Sequence, residues 1–120
     1  LQLKEFFSAF NSQSDGAIVG SVAQVMTTFL GKSNATSDDV TEFMHSLWNK
    51  PDLVSLNWFV KDDYDIKKKE VGDDKYDYTA TFAAILNRRY TNANGETQDT
   101  YHVTAHVNPD GLISSMEMKK

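Results

Sequence analysis

Leu3, Phe6, Phe7 and Phe10 recur at the spacing of one helical face, so the chain opens on an amphipathic helix. After the polar stretch NSQSDG a second helical period sets in, with Ile18, Val22, Val25, Met26 and Phe29 on one side. This run is rich in Val, Thr and Gly, which are poor helix formers, and packing must hold it. A third helix is predicted from Ser37 to Asn49, with Val40, Phe43, Met44, Leu47 and Trp48 as its apolar stripe and Pro51 as its stop. Thr36 with Asp39 three residues on forms a capping box at its start, where Asp38 and Asp39 also suit the positive end of the helix dipole.

The joint between the last two helices reads FLGKSNATSDDV. GKS resembles the end of a phosphate-binding loop, but Met26 occupies the place of that loop's first glycine, and the motif must open a helix, not close one. Gly31 is read instead as a helix C-cap with positive φ. Asn34-Ala35-Thr36 matches a glycosylation acceptor, which matters only in a glycosylating host.

Beyond Pro51 the period changes to two. LVSLNWFV and YDIKKKEV are strands around a bend at KDD, and KYDYTATFAAILNRRY alternates along its length. Asn94-Gly95 predicts a two-residue hairpin turn. That turn places Leu86 opposite Val103, Ala84 opposite Ala105, Phe82 opposite Val107 and Arg88 opposite Tyr101, with one face apolar across both strands. The other face then pairs Asn87 with His102, Ile85 with Thr104 and Ala83 with His106. NPDG, from Asn108 to Gly111, predicts a turn pairing Asn108 with Leu112. Continued without a bulge, this register turns Ile113, Ser115 and Glu117 toward the apolar face. With a bulge, Leu112, Met116 and Met118 take that place. Both remain open on sequence grounds.

Helices first and an antiparallel meander after them define an α+β chain with the helices on one face of the sheet. The order of elements, from LKEFFSAFNS through two further helices to the terminal YHVTAHVNPDGLISSMEM, resembles the nuclear transport factor 2-like (cystatin-like) superfamily. The resemblance implies a strongly curved sheet wrapped as a cone around the first helix, over one domain spanning residues 1–120. It is similar in particular to bacterial members appended to serine/threonine kinases or lipoproteins, which implies a binding or sensing module outside the cytoplasm, at the periplasm or cell surface. The start at Leu1, with the helical pattern setting in at once, is read as a fragment of a larger, tethered protein or a mature secreted form.

A net charge of −5 makes a nucleic-acid partner improbable on electrostatic grounds. Lys67 to Lys69 sit among Asp62, Asp63, Asp65, Glu70, Asp73 and Asp74, a mixed solvated surface. The DDYD stretch does not match a calcium loop, and the absence of cysteine excludes disulfides, thiolate metal sites and a Cys nucleophile. His102 and His106 share a strand face about 13 Å apart, too far to close on one metal ion. No metal or cofactor is expected. These histidines, with Thr81 and Thr104, form instead a candidate interface for a homodimer.

Phe10, Trp48, Trp58, Tyr78, Phe82 and Tyr101 are the candidate lining of a site for a small apolar ligand or peptide, and at the same spacings they also suit the core itself. Isomerases and dehydratases that share the cone place an Asp or His in such a cavity. Here Glu117 is the sole candidate base, conditional on the register of the last strand, and His45 lies on the polar side of its helix with Thr41 and Glu42. The leading expectation is a non-catalytic ligand-binding, sensing or interaction domain. The alternatives are an isomerase or dehydratase using Glu117 and a dimerisation module.

Overall fold

The computed structural model describes residues 3–61, 64–91 and 95–120. Its elements run α1 (Leu3–Asn11), α2 (Asp15–Ser21), β1 (Val25–Phe29), β2 (Lys32–Thr36), α3 (Ser37–Trp48), β3 (Leu53–Val60), β4 (Asp65–Gly72), β5 (Lys75–Tyr90), β6 (Glu96–Val107) and β7 (Ile113–Lys119). The strands form one curved sheet in the order β2-β1-β7-β6-β5-β3, with β4 also pairing to β5. All neighbours are antiparallel except β1 and β7. The architecture is the expected α+β one, helices against the concave face of a curved sheet.

α1 forms as expected, with Leu3, Phe6, Phe7 and Phe10 all at most 1% exposed. Asn11 at its end fastens it to β3: its side-chain amide donates to the Trp58 carbonyl at 2.9 Å and its oxygen accepts the Trp58 backbone N–H at 2.5 Å. An edge strand offers such unpaired backbone groups, and here the helix occupies them. Asp39 Oδ2 accepts the Thr36 backbone N–H at 2.8 Å, so the capping side chain expected for α3 is in place.

The second helix is shorter than its period suggested. It ends at Ser21, and the stretch after it turns into the hairpin β1–β2. The Val22, Val25, Met26, Phe29 spacing imitates a helical stripe, yet Val25 is 58% exposed while Met26 is fully buried. β-branched residues pack well on a pleated sheet, and pairing with β7 decides the outcome: Leu30 N–H donates to the Met116 carbonyl at 2.9 Å. Gly31 therefore caps no helix. With φ of 49° at Leu30 and 86° at Gly31, the two make the tight turn between Phe29 and Lys32.

The β5–β6 hairpin exists, but not with a two-residue turn. Phe82 pairs with Val103, Ala84 with Tyr101 and Leu86 with Asp99, each two side-chain repeats from the register the turn implied. Arg89 pairs with Glu96, and Tyr90 N–H donates to the Gly95 carbonyl at 2.7 Å, so the pairing extends to Tyr90 and Gly95. Asn94 lies outside the described residues, as do Asp62 and Asp63. The offset is even, so the buried face is unchanged. It brings Arg89 to Glu96 and lets Gln98 donate to Asn87 at 3.0 Å, cross-strand partners that the two-residue turn would separate.

At the β6–β7 turn Asn108 pairs with Leu112 as expected, and Gly111 takes a φ of 83°. A bulge follows at once: Val107 faces Ile113, whereas His106 faces Ser115. Ser114 is the extra residue, and its hydroxyl donates to the His106 carbonyl at 3.2 Å. The bulge turns Met116 and Met118 inward and puts Glu117 beside Thr104 on the outer face.

Candidate functional site

The concavity of the sheet is occupied by rings. Phe7 lies 5.2 Å from Trp58 and 6.0 Å from Phe82 between centroids, and Phe10 packs on Phe6, Phe43 and Trp58. Of the residues expected to line a ligand site, Phe10, Trp58 and Phe82 are 0%, 4% and 6% exposed and are core side chains. Trp48 is half-buried and donates its Nε1 proton to the Phe10 carbonyl at 2.9 Å. Tyr101 is half-buried with its ring 5.6 Å from that of Trp58. Tyr78 is half-buried and packs against the core farther along the sheet. It pairs with Val107 at the other end of β6, eight residues along β5 from Leu86.

Glu117 does not enter the cone. Its side chain is exposed, and Oε1 accepts the Gly31 backbone N–H at 3.1 Å, bracing the β1–β2 turn. The condition for a Glu117 base, an inward carboxylate beside a tyrosine hydroxyl, is not met. The bulge at Ser114 is the reason.

One acid does lie on the inner face, and no sequence motif marks it. Asp99 stands two residues before Tyr101 on β6, so simple alternation puts it on the same side. Arg88 Nη2 donates to Asp99 Oδ2 at 2.7 Å, with side chains 19% and 24% exposed, and Lys120 Nζ reaches Asp99 Oδ1 at 3.1 Å. The hydrogen bond from Lys120, helped by the one from Arg88 and opposed by burial, holds the Asp99 carboxyl below its ordinary range. A carboxylate claimed by two cations is a poor proton acceptor at neutral pH. Trp58 Nε1, Arg88 Nε and Thr97 Oγ1 are buried with no hydrogen-bond partner among the described residues.

The sign of the resulting pH dependence follows from that lowered value. A depressed folded pKa contributes stability above the unfolded carboxylate range, near about 3.9, and this is lost as pH falls through the folded value. Asp99→Asn is expected to cost about 1–2 kcal/mol at pH 7, because Arg88 keeps its charge in a mostly buried place without its partner. Urea unfolding at neutral and acid pH checks this. The gap between the two proteins should close in acid, and a gap of equal size at both pH values contradicts the assignment.

The outer face of the sheet is different in kind. Thr81, His102, Thr104 and His106, the expected interface, are all exposed there, brought together by the pairing of Thr81 with Thr104, Ala83 with His102 and Thr79 with His106. Thr79 Oγ1 lies 2.9 Å from His106 Nδ1. His45 is elsewhere, its Nε2 2.8 Å from Asp15 Oδ1 across α2 and α3. Among the described residues no group of three His, Cys, Asp or Glu side chains comes together to hold a metal ion.

The fold is that of the nuclear transport factor 2-like proteins. The structure is similar to a nuclear transport factor 2-like superfamily protein from Salmonella enterica subsp. enterica serovar Typhimurium str. LT2, with a TM-score of 0.72 and 7% identity over 98% of this chain and 84% of that one. It is similar to Aln2 from a Streptomyces species, with a TM-score of 0.73 and 10% identity over the same shares, 98% and 84%. It is also similar to the Delta 5-3-ketosteroid isomerase from Mycobacterium sp., with a TM-score of 0.64 and 11% identity over 98% and 88%. No family model matches the sequence. No curated protein matches it. At these identities the likeness establishes the fold, and the site must speak for the function.

Proposed function

We propose that this is a non-catalytic interaction domain that works through the outer face of its sheet, with a second copy of the chain as partner. The observation that carries the reading is the division of labour between the two faces. The inner face is filled by buried rings, and its acid is held by two cations. The outer face leaves Thr81, His102, Thr104 and His106 exposed over adjacent strands.

Self-association suits that surface physically. Thr79, Thr81, Ala83 and Thr104 are short, so two sheets can approach to the face-to-face spacing of about 10 Å. Lys119 lies across from His102 and Glu117 across from Thr104, so opposite charges alternate along β7. A two-fold axis that crosses β7 between these two residues reverses the direction of one copy and brings unlike charges together. The chain has no cysteine, so a single Thr104→Cys provides a clean reporter. It is expected to yield disulfide-linked dimers under mild oxidation, while Thr36→Cys at the far edge of the sheet does not. Equal cross-linking by both, or by neither, overturns the reading.

The proposal includes a place outside the cytoplasm as part of a larger tethered protein, for which the cysteine-free, acidic composition is suitable. Among the described residues no helix is long and apolar enough to cross a membrane. Fractionation of cells making the full-length protein tests that placement, and recovery in the cytosol alone contradicts it.

A further inference from the structure

From the opposite end of the same outer face we infer a binding site for a neutral, hydroxyl-rich ligand of the saccharide class. Three strands there place three rows of side chains side by side. Asn57, Asn87 and Gln98 form the middle row, paired across β3, β5 and β6. Phe59, Ile85 and Thr100 form the row on one side, and Ser55, Arg89 and Glu96 the row on the other. The amide and charged rows, with Arg88 and Thr97, line a hollow of about 550 Å³, and the row of Phe59 lies beside it. That is a volume typical of small-molecule sites.

The chemistry of the rows selects the ligand. A carboxamide presents donors and an acceptor in one plane, and a sugar hydroxyl both donates and accepts, so a run of amides matches a run of hydroxyls. Gln98 Nε2 donates to Asn87 Oδ1 at 3.0 Å, which orients both groups and leaves the Asn87 amide protons and the Gln98 oxygen for a ligand. Asn57 adds a third amide, exposed on β3. Phe59 is 54% exposed, an unusual place for a large ring, and its flat face suits the apolar C–H side of a pyranose. Arg89 and Glu96 are cross-strand partners, and Arg88, which also borders the hollow, is paired with Asp99, so the charges there are balanced and favour neither an anion nor a cation. A purely apolar ligand would strip water from the amides without replacing their hydrogen bonds.

This site lies toward the β5–β6 turn from the Thr81 and Thr104 rows, so it remains open whether or not two copies meet there. The test is titration of the whole chain with maltotriose, cellotriose and chitotriose, followed by calorimetry and amide chemical shifts. At least one trisaccharide is expected to saturate, with shifts confined to the three rows. Asn87→Ala and Phe59→Ala should each weaken it by about tenfold or more, the size of one lost hydrogen-bonding or stacking contact. Ser33→Ala, exposed on β2 at the other edge of the sheet, should leave it unchanged. Thermal unfolding of each variant verifies that it is folded, and Asn57→Ala replaces any that is not. Absence of saturation with all three sugars up to about 20 mM, well above a millimolar Kd, overturns the inference. So does binding that survives both substitutions, or equal binding of triglycine at the same residues.

Discussion

Replacing Phe10 with alanine is expected to destabilise the protein by about 3–5 kcal/mol, because the ring is fully buried and its removal leaves a cavity among neighbours that are themselves rings. The prediction separates two readings of the same residue. A ring lining an open ligand site has water on one side and loses little when truncated. A ring that fills the cone loses both its transfer free energy and its contacts with Phe6, Phe43 and Trp58. Denaturant unfolding of Phe10→Ala beside Tyr101→Ala provides the comparison. Tyr101 is only half-buried and should cost distinctly less. Equal and small losses at both positions would return the aromatic set to a cavity lining.

Thr104→Arg is expected to raise the dimer dissociation constant by about 100-fold or more, while changing the stability of the folded chain by no more than about 0.5 kcal/mol. Thr104 is exposed, opposite Thr81 on one side and Glu117 on the other, so an arginine fits the isolated chain without strain. In a two-fold interface the same substitution appears twice and sets like charges against each other where threonines allowed close approach. Dilution followed by size measurement, at low and high salt, checks it. Salt should partly restore association, because screening weakens the repulsion. A variant that associates like the parent would place the interface elsewhere.

The parts of this molecule that could be read from its letters are those where local pattern and burial agree. α1 and α3 show it plainly: their apolar stripes and the Asp39 cap recur in the structure. Alternation along β5 and β6 identified the buried face, since an even displacement of register cannot alter which side a residue takes. Where two local signals competed, tertiary pairing decided. Asn94-Gly95 is a strong turn signal, yet the cross-strand fit of Arg89 with Glu96 and Asn87 with Gln98 corresponds to a longer connection. The run from Val22 to Phe29 has a helical period and β-branched composition at once, and its pairing with β7, invisible in sequence, chose the strand. Glu117 depended on a single bulge residue, Ser114. Asp99 is legible in the alternation itself: counting by twos from Tyr101 places it inside. Of its two cationic partners, Arg88 is a diagonal neighbour in either register, whereas Lys120 meets it only through the pairing of β6 with β7.

If the outer face is the working surface, the unmodified chain should associate without any ligand. Sedimentation velocity across a concentration series is the direct measurement. The expected result is a concentration-dependent shift from monomer to dimer in the micromolar range, abolished by Thr104→Arg. A single monomeric species throughout the series would contradict it.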